Sequence, residues 1–135
     1  MRLPPLLRAR SFVAQVVLAV VLPIAFGALC GAMLGSSAPL FNALMLLAGL
    51  GGIGAGFEHH GARDGVVRGL VGGALFTGAL LVGFTVHGEP PRMPLPLPLA
   101  AMAVIYAATG MPLGALGGWL RRRVETRRAR AELRA

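Results

Sequence analysis

Residues 12–34 carry no charged side chain, and three further stretches, 40–57, 66–86 and 99–120, are apolar almost throughout, with Arg68 their one charge. In a helix the first stretch is about 34 Å long at about 1.5 Å per residue, enough to cross a hydrocarbon core of about 30 Å. The others fall within or near the length range of a spanning helix. An open sheet edge or an irregular chain cannot satisfy its backbone in lipid, so segments of this kind become helices. The expected fold is all-α: a four-helix transmembrane bundle. Only 13% of the residues are charged, about half the share of a soluble domain.

The charges give that bundle a direction. All 13 basic residues are arginine, and the formal net charge is +8. With four crossings, both termini and the central turn share one side. On it lie Arg2, Arg8, Arg10, Arg63, Arg68 and the seven arginines of a tail at 121–135; the other side holds only Arg92. Arginine in short flanks marks the cytoplasmic side. The expectation is N-in and C-in: a multi-pass protein of the cytoplasmic (inner) membrane with a proline-rich connector outside. Nucleic acid is not the expected partner, because the bases sit beside apolar segments and not along a folded basic stripe.

Glycine supplies the next constraint. Gly27, Gly31 and Gly35 recur every fourth residue, as do Ala48, Gly52 and Gly56, then Gly65, Gly69 and Gly73, and finally Gly110, Gly114 and Gly118. Residues four apart share one helix face, and small residues there let two backbones approach closely. The helix-packing residues expected on this basis are Gly27, Gly31, Gly35, Gly52, Gly56, Gly69, Gly73, Gly110, Gly114 and Gly118. The ends of the second and fourth stretches, GGIGAGF and GALGGWL, are alike, which is compatible with two parallel hairpin repeats.

Pro23 interrupts the first stretch and Pro112 the last. A proline removes a backbone donor, so a carbonyl one turn earlier needs a partner from elsewhere in the bundle. Between the second and third stretches lies the polar turn Glu58-His59-His60-Gly61-Ala62-Arg63-Asp64-Gly65. Gly61 is the expected helix stop, Asp64 the expected N-cap of the third helix, and Arg68 is expected to snorkel back toward the interface. At the end of the fourth stretch Trp119, Arg121, Arg122 and Arg123 are the expected lipid-headgroup residues, with anionic headgroups as their partners.

The chemistry for catalysis is thin. Adjacent His59 and His60 point about 100° apart on a helix and make a poor chelate, so no metal site is expected. Cys30 is a lone thiol in an apolar run. No nucleophile–base–acid pattern and no phosphate-binding glycine loop is present, so the expectation is no enzyme, no catalytic residue and no cofactor. Thr77, Tyr106 and Thr109 are hydroxyls that either bind helices together or line a passive pore. Two functional readings follow. The first is an accessory or oligomerising membrane component acting through helix packing, with a second copy or another membrane protein as partner. The alternative is a small passive channel or transporter working as a homo-oligomer.

The run GGIGAGFEHHGARDGVVRGLVGGALFTGALLVG at 51–83 resembles the central hairpin of small uncharacterised glycine-rich four-span membrane proteins of bacteria and archaea. There a glycine-rich helix ends in Ala-Gly, an Ala-Arg-Gly turn follows, and a glycine-rich helix returns. The resemblance implies a membrane location; it brings no activity and no functional residues. Small multidrug carriers and fluoride channels also have four short spans, but the first-span glutamate of the former and the Thr-Thr-Phe-Ser motif of the latter are missing from this chain.

Overall fold

The structure, a computed structural model, describes residues 5–94 and 97–133. Arg2, Pro4, Leu95, Pro96 and Arg134, which entered the charge and proline patterns above, lie outside the described residues. The fold is all-helical. A short turn at Leu7–Ala9 precedes four helices: α1 (Phe12–Ser36), α2 (Ala38–Phe57), α3 (Ala62–His87) and α4 (Leu99–Glu132), each long and apolar enough to cross a membrane. The chain is thus built as a multi-pass membrane protein.

Their order around the bundle is α1, α3, α4, α2. The tightest seams join α3 to α4 and α1 to α3; α2 leans mainly on α4 and touches α1 and α3 sparsely. Glycine explains which seams are tight. A Cβ added to Gly27 or Gly31 would collide with the α3 backbone at Phe76 or Leu80, and one added to Gly83 with the α1 backbone at Ala28. Across the α3–α4 seam, Gly65 and Gly69 face the backbone of Gly114 and Gly110, and Gly73 faces Ala107. Gly56 and Gly117 do the same between α2 and α4, and Gly118 meets the turn at Gly61. Gly114 therefore stands where α2, α3 and α4 converge. Few side chains are fully enclosed: Cys30, Leu34 and Leu80 are at most 1% exposed and pack with Phe41. Far more large apolar side chains are exposed than buried, the inverse of a water-soluble protein, as a lipid solvent requires.

The helix ends follow local chemistry. α1 and α2 are separated by Ser37 alone, in extended conformation, and the Ser36 hydroxyl reaches His87 Nε2 at 2.9 Å. α3 closes on Gly88, whose left-handed backbone (φ 75°) lets its N–H return to the Phe84 carbonyl. The described part of the proline connector is pinned to the bundle: the Arg92 backbone N–H donates to Leu34 O at 3.0 Å and its Nε to Gly35 O at 3.1 Å, satisfying carbonyls at the end of α1.

Three features differ from expectation, two of them helix boundaries. α3 starts at Ala62 with Gly61 as its N-cap (φ 110°), so Asp64 falls inside the first turn, where its charge favours the helix dipole without capping. The arginine tail is not a separate segment: α4 continues from Leu99 to Glu132 without a break. At 34 residues it is about 51 Å long, about 20 Å more than the hydrocarbon core. The third difference, at Arg68, concerns the site below.

Candidate functional site

At Pro23 the first helix cannot keep its regular ladder. Its turn at Val17–Val21 is wound as a π-helix, and the Leu22 N–H donates to Val17 O, one residue further back than in an α-helix. Leu18 O thereby loses its usual donor, Leu22, and the next residue, Pro23, has no N–H to offer. The partner comes from α3: Arg68 NH2 donates to Leu18 O at 2.8 Å. The sequence called for some group to satisfy a carbonyl near Pro23; the group is a guanidinium on another helix.

Arg68 does not snorkel toward its own helix start. Helical side chains lean toward the N-terminus, yet this one lies forward along α3, with NH1 occupying the place a Gly72 Cβ would take. Gly72 leaves the room, and the orphaned Leu18 carbonyl supplies the attraction. Arg68 is six residues past Ala62, so its Cα stands about 9 Å inside the helix end. Among the described residues no carboxylate lies within salt-bridge distance of it, and its Nε is buried without a hydrogen-bond partner. An arginine at this depth, with Glu58 acting on it only from beyond contact distance, is expensive and calls for a functional explanation.

Beside it opens a cavity of about 400 Å³, walled by all four helices. Arg68 stands at the end nearer the central turn. From there the wall runs past Pro23 and Gly72 to Phe26, Phe76 and Tyr106, about two helical turns deeper. Leu22 and Leu47, on opposite sides of the wall, are 54% and 56% exposed, so the cavity opens sideways through the sparse α1–α2 seam. Its polar groups are the Arg68 guanidinium, the Tyr106 phenol and the Thr109 hydroxyl, which already donates to Tyr106 O at 2.7 Å. Thr77, grouped with these two as a candidate pore hydroxyl, is buried in α3 away from the wall, its Oγ1 without a hydrogen bond among the described residues.

A second polar cluster closes the end of the bundle where the leader, the central turn and the base of α4 meet. Arg10 NH2 donates to Glu58 Oε1 at 2.6 Å, and Leu7 N–H to Glu58 O at 3.2 Å. His59 Nδ1 lies 3.1 Å from Ala55 O, while His60 approaches Glu125 at 3.9 Å. Glu58, His59 and His60 thus serve three different partners. Arg121 is 5% exposed: its NH1 donates to Phe57 O at 3.1 Å, its Nε to Glu125 at 2.8 Å, and its guanidinium covers the Phe57 ring. Expected at the lipid headgroups, Arg121 instead caps the last carbonyl of α2, because its place on the inner face of α4 turns it toward a helix C-terminus. Arg122 and Arg123 are exposed, with Arg123 stacked 4.1 Å over the Trp119 ring.

The ten glycines singled out from spacing do not all meet backbone. Gly35 faces the His87 ring and the Glu89 side chain and carbonyl, at the end of α3 and not along a helix seam, and a Cβ at Gly52 would only touch the Leu113 side chain at 3.5 Å, because Gly52 lies on the cavity wall. Conversely, Gly83 and Gly117 face backbone without belonging to any four-residue series; seven- and three-residue steps, from Phe76 and Gly114, are the spacings that reach them.

Comparison of the chain with protein-family models, with curated proteins and with solved structures finds no match.

Proposed function

We propose that this is a non-enzymatic protein of the cytoplasmic membrane, with both termini and the central turn on the cytoplasmic side, acting through helix packing as an accessory or oligomerising component. One observation carries the reading: the titratable side chains where the leader, the central turn and α4 meet are engaged within the protein, two of them between elements. Glu58 holds the leader, Arg121 caps α2, His59 lies against its own helix, and Glu125 is engaged by Arg121. The exposed Arg122 and Arg123 beside Trp119 have the composition that meets anionic headgroups, and Arg8, Arg63, Arg127 and Arg130 add exposed positive charge on the same cytoplasmic side. Blue-native electrophoresis of gently solubilised membranes, before and after cross-linking, tests it. A complex larger than the monomer is expected; a lone monomer with no cross-linked partner contradicts it.

The cavity favours a second reading, a small passive channel or carrier working as a homo-oligomer. Flux from liposomes separates the two if the variant blocks space without breaking a seam. Gly51→Leu meets that need, since Gly51 lines the cavity and a Cβ there has no neighbour within 4 Å. Solute movement in the wild type that this variant abolishes favours the second reading; no movement in either favours the first.

A further inference from the structure

We infer that the cavity between α1 and α2 is a binding site for an anionic amphiphile, a carboxylate on a hydrocarbon chain, with the acid group at Arg68 and the chain among Phe26, Phe76 and Met45. The inference rests on the cavity and Arg68, not on the oligomerising or the channel reading.

Four observations converge on this class of ligand. Arg68 gives one N–H to Leu18 O, but a guanidinium carries five; among the described residues no carboxylate reaches it in a salt bridge, and Glu58, the acid whose charge acts on it, is bonded to Arg10. Gly72 and Pro23 together hold it forward: the glycine by leaving space, the proline by leaving Leu18 O in need of a donor. The adjoining space, about 400 Å³, is within the usual range of ligand cavities and is otherwise almost wholly apolar. Its mouth is lateral, between the exposed Leu22 and Leu47, so a membrane-dissolved molecule can enter from the lipid.

Magnitudes decide between an amphiphile and a small hydrated anion. An inorganic anion would leave its water for a wall offering one cation and two hydroxyls, one already bonded, and stripping an ion of water without replacement bonds is costly. An amphiphile brings its own apolar bulk to the apolar wall and has only its headgroup to satisfy. A single guanidinium matches a single negative charge, and its planar N–H groups match the two oxygens of a carboxylate.

The test uses the full chain in liposomes of neutral phosphatidylcholine, at a pH alkaline enough to ionise the probe. The probe is stearic acid carrying a nitroxide on its chain, with its methyl ester as the uncharged twin, and electron spin resonance reads the motionally restricted fraction. The wild type is expected to hold the acid about tenfold more strongly than the ester, the worth of one charge-assisted hydrogen-bonded contact. In Arg68→Gln that preference should vanish. Gly51→Leu, which leaves Arg68 and every helix seam in place, should lower acid and ester together with an unchanged unfolding temperature. Should Arg68→Gln not fold, the wild type's preference for the acid over the ester decides the charge, and Gly51→Leu decides whether the cavity holds the chain. Equal restriction of acid and ester in the wild type overturns the inference, as does full acid binding in folded Gly51→Leu. Displacement of the probe by millimolar inorganic phosphate also overturns it, assigning the site to a free anion.

Discussion

At the scale of single residues, the glycines fall into two kinds that the sequence does not distinguish. Gly114 faces the backbone of Gly65, whereas Gly78 has no atom within 4 Å of a would-be Cβ. Gly114→Ala is therefore expected to destabilise the bundle by about 1–3 kcal/mol through overpacking, and Gly78→Ala to be neutral or stabilising by up to about 1 kcal/mol through helix propensity. Thermal unfolding in detergent checks both; equal effects would mean that the close approaches carry no weight. The arginines divide in the same way. Arg121→Gln should cost about 1–3 kcal/mol by leaving Phe57 O without its partner, while exposed Arg122→Gln should change stability by less than about 0.5 kcal/mol. Spacing by four found Gly69, Gly110 and Gly114 because a straight helix repeats its face at that step. It gave no hint of Gly83, whose contact depends on where α1 crosses.

At the scale of elements, the informative event is the exchange between α1 and α3. Pro23 and the π-turn release Leu18 O, and Arg68 recovers it across the bundle. That pairing predicts coupling in a double-mutant cycle. Pro23→Ala restores an N–H to α1, so replacing Arg68 by Met should be less unfavourable by about 1–3 kcal/mol in that background than in the wild type. Additive effects would show that the hydrogen bond contributes nothing. The need for a donor near Pro23 was legible in the sequence, because proline chemistry is local. The donor was not. Its direction depends on empty space at Gly72 and on a carbonyl fifty residues away, and both are properties of the packed bundle. For the same reason the cavity left no trace in the sequence: its wall draws on all four helices, and its glycines and leucines are those of any spanning helix. The end of α4 was equally hidden, since an arginine-rich stretch is as able to continue a helix as to leave it.

At the scale of the whole molecule, hydropathy and charge carry the account. Four apolar helices were legible because lipid excludes any other use of such segments, and the described residues include four that are long and apolar enough. Which side each end faces is a proposal built on the distribution of arginine, twelve to one between the two ends. The leader, the central turn and the base of α4 meet at one end through Arg10–Glu58 and Arg121–Phe57, so a single labelling experiment addresses all of them. Single cysteines placed at Pro91 and at Ala129, both exposed, with Cys30 left in place because it is fully buried, are treated with a membrane-impermeant maleimide in intact cells and again after permeabilisation. Labelling at Pro91 in intact cells, and at Ala129 only once the membrane is opened, is the predicted result. Labelling of Ala129 in intact cells, or the same response at both positions, would contradict four crossings with the arginine-rich end in the cytoplasm.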